Sequence, residues 1–254
     1  MKGEFKRVPA VDKCFRILAL LAESGKPMGV SEMSKTLNYN KSTVFNTVYT
    51  LCDLGILEAK ADTKFSFGTE LYLLGRAAGK GLELIQTVHP FLEKINKETK
   101  LSAFLGIRSD LRAVLVDKMD DAFDIKISSE VGMRLPLLAG AGGKALLSQL
   151  PDAEIDRILS ENELRKFTPQ TCVDKAEYRK AIMKVREEGI AFDREEYIEG
   201  IIAFAVPLKT QKEGLQAAIW AVGLRRQVAE DVAPGFSRLL KGIAEEINLR
   251  FSLV

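Results

Sequence analysis

Apolar side chains recur along this chain with two different periods, and the switches between them divide it. Between residues 11 and 23, Val11, Cys14, Ile17, Leu18 and Leu21 fall on one face of a helix. Gly25, Lys26 and Pro27 break it. A second short helix is expected next: Ser31 can cap it, Met33 and Leu37 lie four apart, and Asn38 suits a left-handed end. Asn40 offers a cap to a third helix over roughly 41–54, stopped by Gly55. ILEAK and KFSFG then alternate with period two around Ala61, Asp62 and Thr63, which predicts a β-hairpin. Residues 69–87 return to the helical period, with Leu71, Leu74, Ala78, Leu82 and Ile85 as the apolar stripe. Gly75, Gly79 and Gly81 interrupt that helix and would let another helix approach closely.

From His89 and Pro90 the pattern changes. Residues 90–99 read as a helix, and 101–108, 111–118 and 123–130 as strands. Helices over 141–149, 152–160 and 174–188 follow, then strands near 202–208 and 215–223 and a closing helix over about 228–251. Strands grouped in hairpin-like runs and separated by helices predict an α+β sheet rather than a doubly wound one. Three helices followed by a hairpin is the element order of a winged helix-turn-helix. The expected organisation is therefore a winged helix-turn-helix over 1–68, a linker helix over 69–87 and a second domain over 88–254.

Composition narrows the class. A chain of 254 residues amounts to about two domains. With 46% hydrophobic and 28% charged residues it can bury a core and stay soluble. No stretch approaches the roughly 20 uncharged apolar residues of a membrane helix, and the N-terminus lacks the apolar core of a signal peptide. A cytoplasmic protein with no membrane partner is expected. Cys14, Cys52 and Cys172 are odd in number and far apart, as reduced packing cysteines would be, and one histidine makes a zinc site a poor reading. No cofactor is implied. Residues 1–80 hold twelve Lys/Arg against eight Asp/Glu, while the remainder holds twenty-five against twenty-seven. A basic head on a faintly acidic body suits a nucleic-acid-binding head, although ordinary charge scatter accounts for it about as well.

The third helix carries the candidate DNA chemistry. Val44, Val48 and Leu51 are expected to face inward, helped by Phe45 and Cys52, leaving Ser42, Thr43, Asn46, Thr47 and Thr50 outward. A small, polar face nearly free of acid over its first two turns can enter a major groove without steric or charge repulsion. Asn46 has the geometry to pair with adenine, and Ser42, Thr43 and the helix start suit phosphates or base edges. Lys41, with Lys60 and Lys64 on the hairpin, would anchor to the phosphate backbone. The same Ser/Thr/Asn set would equally well solvate an ordinary surface helix.

In the second domain, GAGGK at 140–144 places small residues at a helix start, where free N–H groups and the helix dipole favour an anion. It is not a phosphate-binding P-loop, because Ala145 follows Lys144. Tight packing of helix on sheet is the competing reading. Asp193, Glu195 and Glu196 resemble an acid/base cluster, but alternating positions do not converge and no nucleophile–histidine pair is visible, so no catalytic residue is assigned and Glu195 and Glu196 read as surface charge. His89 reads as a hydrogen-bonded junction residue. Asp117, Asp120, Asp121 and Asp124 lack the glycine and terminal glutamate of a calcium loop and read as a solvated connection.

Several segments together resemble the IclR (isocitrate lyase regulator) family. They are VPAVDKCFRILALLAES and GVSEMSKTLNYNKSTVFNTVYTLCDLGIL near the N-terminus, then HPFLEKINKETKLSAFLGI, EVGMRLPLLAGAGGKALLSQL and VREEGIAFDREEYIEGIIAFAVPL. The similarity runs over roughly residues 8–224 in the family's order. It implies a regulator rather than an enzyme, a homodimer or a tetramer built of two dimers, palindromic operator DNA as partner, and a GAF/PAS-like effector domain with a central antiparallel sheet. RNA polymerase is carried as a candidate partner. The resemblance points to Ala141, Gly142, Asp193, Ile201, Ala203, Trp220 and Val222 as effector contacts. This chain departs from the family in having Phe45 and Asn46 where histidine and a basic residue are common, and Leu138, Ala139 and Gly140 where His-Ala-(Thr/Ser) is common. Trp220 and Val222 stand where serine is frequent. An apolar pocket with an anion seat would take a bulky hydrophobic or aromatic acid in preference to a small polar one, though Trp220 reads equally well as a core residue. Two rival readings stand beside this one: a ligand-binding enzyme, and a protein-interaction adaptor whose winged helix contacts protein.

Overall fold

The computed structural model describes residues 6–79, 83–120, 129–210, 214–228 and 232–252, and divides into two compact units, one up to Leu82 and one from Glu83. In the first, α1 (Pro9–Ser24), α2 (Val30–Leu37) and α3 (Lys41–Asp53) surround a core of Ile17, Leu21, Met33, Val44, Val48 and Leu51, closed by Leu57 and Phe65. Val11 does not join this core. It is exposed and lines an open crease with Thr50 and Leu54. The start of α2 also differs from expectation. Gly29, not Ser31, is the capping position, and its N–H is held by the Glu32 carboxylate at 2.7 Å. Asn38 ends α2 at φ 52°, where an asparagine is tolerated better than most residues.

β1 (Met28–Gly29), β2 (Leu57–Ala59) and β3 (Lys64–Phe67) pair antiparallel in the order β1-β3-β2. The β2–β3 hairpin closes through Lys60 N–H to Lys64 C=O at 2.7 Å, with Thr63 left-handed at φ 60°, a three-residue turn with a left-handed last position. α4 (Thr69–Gly79) follows. Of the helix predicted over 69–87, α4 covers Thr69–Gly79 and α5 (Glu83–Thr99) covers the last part, while residues 80–82 lie outside the described residues.

α5 continues through Pro90, where a break was predicted, because Leu84, Val88, Phe91, Leu92 and Ile95 all bury in the core of the second unit. That packing outweighs the one missing N–H. A six-stranded antiparallel sheet in the order β6-β5-β4-β9-β8-β7 forms the centre. Its strands are β4 (Ser102–Ser109), β5 (Arg112–Met119), β6 (Arg134–Pro136), β7 (Ala191–Arg194), β8 (Ile201–Leu208) and β9 (Ala217–Leu224). β6 and β7 are too short to announce themselves by alternation. The strand predicted over 123–130 falls mostly on 121–128, outside the described residues.

Both sheet faces are covered, and the period-two pattern sorts side chains between them. Ala217, Ile219 and Ala221 of β9 join α5 and α9 (Ala233–Ser252), whereas Ala218, Trp220 and Val222 join α6 (Gly140–Leu147), α7 (Asp152–Glu161) and α8 (Lys175–Glu188). The closing helix starts at Ala233, five residues later than predicted. No helix among the described residues is long and apolar enough to cross a membrane.

Candidate functional site

α3 presents its outer side in a way the sequence only partly foretold. Lys41, Ser42, Asn46 and Thr50 are exposed, while Thr43 and Thr47 are half-buried. The Thr47 hydroxyl donates to Thr43 C=O at 2.8 Å and the Thr50 hydroxyl to Asn46 C=O at 2.7 Å, so both satisfy themselves on their own helix. Phe45, expected inside, is 48% exposed, and Tyr49 beside it is 49% exposed. Position 45 lies one helical step from Val44 and so falls off the buried stripe of Val44, Val48 and Leu51. On the hairpin, Lys60 pairs with Glu58 and Lys64 approaches Asp62 at 3.6 Å, so each lysine already has an acidic neighbour. The ammonium of Lys60 and the hydroxyl of Ser66 hold the Glu58 carboxyl below its ordinary pKa.

In the second unit, a cavity of about 130 Å³ lies between the sheet and α6. Register explains how distant residues meet there. Asp193 pairs with Ala203 and Ala203 with Val222 across β7, β8 and β9, while Ala205 pairs with Trp220 and Trp220 with Phe104. These two adjacent rows point to one face. Ala141, Gly142, Asp193, Ile201, Ala203, Trp220 and Val222 all line the cavity. The sequence did not single out Phe104, Ser129, Met133, Tyr197 or Ile198, which also line it. Their contributions depend on pairing and loop path rather than on local spacing.

The helix start is shaped by its glycines. Gly140 enters α6 at φ 66°, and a Cβ there would fall 2.9 Å from Asp193 Oδ2. A Cβ on Gly143 would fall 2.0 Å from the Leu137 carbonyl oxygen, which excludes any larger residue. Gly142 and Gly106 both face the Trp220 ring, at 3.3 and 2.1 Å from a built Cβ. The indole is thus a packed wall of the cavity as well as a core residue.

Charged groups of low exposure lie on α6 and around the end of β7. Lys144 is only 6% exposed, and its ammonium donates to Glu196 Oε1 at 2.6 Å and to Phe192 C=O at 3.0 Å. Glu195 accepts from Gly200 N–H at 2.9 Å and pairs with Arg225 at 2.6 Å. Neither glutamate is the solvated surface charge expected from the sequence. Asp193 is 5% exposed and accepts the Glu196 N–H at 2.7 Å. Burial pushes its carboxyl up to about 6, against the pull of that hydrogen bond, with the Glu196 charge adding to the rise. Tyr178 is buried in the same core cluster, and burial raises its phenol so that it stays neutral. His89 bonds to Asp117 through Nδ1 at 2.8 Å, tying α5 to β5. Asp121 and Asp124 lie outside the described residues.

Comparison with known proteins agrees over both units. Residues 10–61 match the IclR helix-turn-helix domain, and residues 77–249 match the family described as bacterial transcriptional regulator IclR C-terminal. The chain is 30% identical over 202 residues to the HTH-type transcriptional regulator KdgR of Escherichia coli, covering 79% of this chain and 76% of that protein. It is 26% identical to XynR of the same organism, over 92% of this chain and 93% of that one. Among solved structures, an IclR homologue from Microbacterium hydrocarbonoxydans complexed with 4-hydroxybenzoate superposes with a TM-score of 0.85 at 20% identity, covering 96% of this chain and 100% of that one. The IclR regulator of Alicyclobacillus acidocaldarius superposes at 0.84 with 24% identity, covering 96% and 99%. The family matches span both units and the identities extend over most of the chain: it belongs to the IclR family of bacterial transcriptional regulators, with a helix-turn-helix for DNA and a ligand-binding C-terminal domain, and it is not an enzyme.

Proposed function

We propose that this regulator reads palindromic operator DNA as a homodimer or a pair of dimers, and answers to a small carboxylic acid of aromatic or hydrophobic character. Lys41, Ser42, Thr43, Asn46, Thr47 and Thr50 on α3, with Lys60 and Lys64 on the hairpin, form the DNA-contacting set. Ala141, Gly142, Asp193, Ile201, Ala203, Trp220 and Val222 hold the effector. Occupancy changes the arrangement of the effector domains and, through the 69–87 segment, the spacing of two recognition helices, to which affinity for a two-half-site operator is sensitive. Such a protein acts in the cytoplasm, and as an activator it would touch RNA polymerase.

The cavity carries the effector reading. An apolar cavity of about 150 Å³ is known to accept benzene, so 130 Å³ walled by Phe104, Trp220, Val222 and Ile201 suits one ring. The start of α6 offers N–H groups to a carboxylate. The protonated form of Asp193 can donate to that carboxylate, whereas the ionised form would repel it. The structural neighbour is complexed with 4-hydroxybenzoate, a one-ring carboxylic acid. Calorimetric titration of the full-length protein tests the reading: benzoate-class acids should bind and a small hydrophilic keto acid should not. The reverse order would overturn it.

A further inference from the structure

The most exposed apolar feature of α3 is a ring pair. Phe45 and Tyr49 stack with centroids 4.3 Å apart, and Tyr49 meets buried Phe65 of β3 edge-on at 5.6 Å. The pair is therefore anchored to the core at one end and open at the other. Around it along the helix stand Lys41, Ser42, Asn46 and Thr50, all exposed, and the helix has no acid before Asp53. An uncovered aromatic pair on a polar helix face whose one acid, exposed Asp53, stands a turn beyond Tyr49 and two turns from Phe45 is suited at its Phe45 end to a partner that is itself polar and anionic with isolated apolar spots. The major groove of DNA fits that description, because its one apolar group is the C5-methyl of thymine.

Resting on the reading of α3 as the DNA-contacting helix, we infer that Phe45 is a specificity-determining residue that packs on a thymine methyl in each half-site. Tyr49 is its positioning residue, holding the ring against Phe65. Phe45 and Asn46 are consecutive and so about 100° apart around the helix axis. Consecutive residues rise only about 1.5 Å along the helix, so the thymine read by Phe45 lies in the same half-site as the base facing Asn46.

The test removes one methyl at a time. The full-length protein first selects its sites from a random-sequence duplex library. Each thymine of the selected site is then replaced singly by deoxyuridine, which deletes only the C5-methyl. One thymine per half-site should weaken wild-type binding about four-fold, the equivalent of roughly 0.8 kcal/mol for a methyl-sized apolar group. Phe45→Ala should bind the thymine and deoxyuridine duplexes equally, while Phe45→Leu, which keeps apolar contact, retains part of the preference. The inference fails if no thymine shows this paired sensitivity. It fails also if Phe45→Ala changes the sedimentation of the protein but not its base preference, which would make the ring pair a contact between copies. A library that yields no site at all would defeat the DNA reading of α3 itself, an outcome distinct from a site that is indifferent to methyl loss.

Discussion

The indole of Trp220 lies so close over Gly106 that a methyl group there would fall 2.1 Å from its Cη2. β4 and the cavity wall are thus one packed unit, and a change on the strand is felt in the pocket. Gly106→Ala must displace the ring toward Gly142, where only 3.3 Å separates a built Cβ from it. Overpacking of this kind costs about 1–3 kcal/mol. Denaturant unfolding should register that loss, and effector affinity should fall with it.

Trp220 is the single tryptophan of the chain, so its emission reports on the cavity alone. Binding of a one-ring acid should change its intensity or wavelength in a saturable titration. Trp220→Ala should cost about 3–5 kcal/mol of stability and shift preference toward larger acids. An unchanged preference in a folded Trp220→Phe variant would remove the indole as the size limit.

Asp193 gives a pH dependence whose sign follows from burial. Its carboxyl is raised from 3.8 to about 6 in the folded protein, which corresponds to about 3 kcal/mol. That stabilisation is present in full below pH 3.8 and is lost as pH rises through 6. Asp193→Asn keeps an oxygen to accept the Glu196 N–H, so it should flatten the stability profile between pH 4 and 6 and be the more stable protein above it. Affinity for a carboxylate effector should decline above pH 6 in the wild type and lose that slope in the variant.

Lys144 and Glu196 form an ion pair with side chains only 7% and 19% exposed. Removing one partner leaves the other charge unpaired out of water, which costs about 3–5 kcal/mol. Lys144→Met should lower the denaturation midpoint accordingly. The double variant Lys144→Met, Glu196→Leu should recover most of the loss, and a double-mutant cycle with no coupling would contradict the pairing.

On the DNA side, Asn46→Ala should lose about 1–3 kcal/mol of discrimination at one base position. Lys64→Ala should weaken all sequences alike and flatten the salt dependence, by a reduced amount because Asp62 already lies 3.6 Å from that lysine. Footprinting and salt titration separate the two effects. Identical footprints for both variants would argue against α3 as the reading helix.

What the sequence determined by itself is what local periodicity and turn chemistry encode. The three N-terminal helices, the hairpin at Ala61–Thr63, the long strands β4, β5, β8 and β9 and the helices α6 to α8 all lie close to where apolar spacing, Asn38 and Gly55 put them. The glycine-rich start of α6 could also be read directly, because backbone freedom is a property of residue type. Tertiary structure decided the rest. Phe45 and Tyr49 turn outward because Val44, Val48 and Leu51 already fill the core beneath them. α5 runs through Pro90 because its apolar face is covered on both sides of the proline. Trp220 meets Phe104, and Asp193 meets Ala203, only through strand register. Register is set by pairing between distant segments, so the cavity, the displaced titration of Asp193 and the Lys144–Glu196 pair exist only once the sheet has closed.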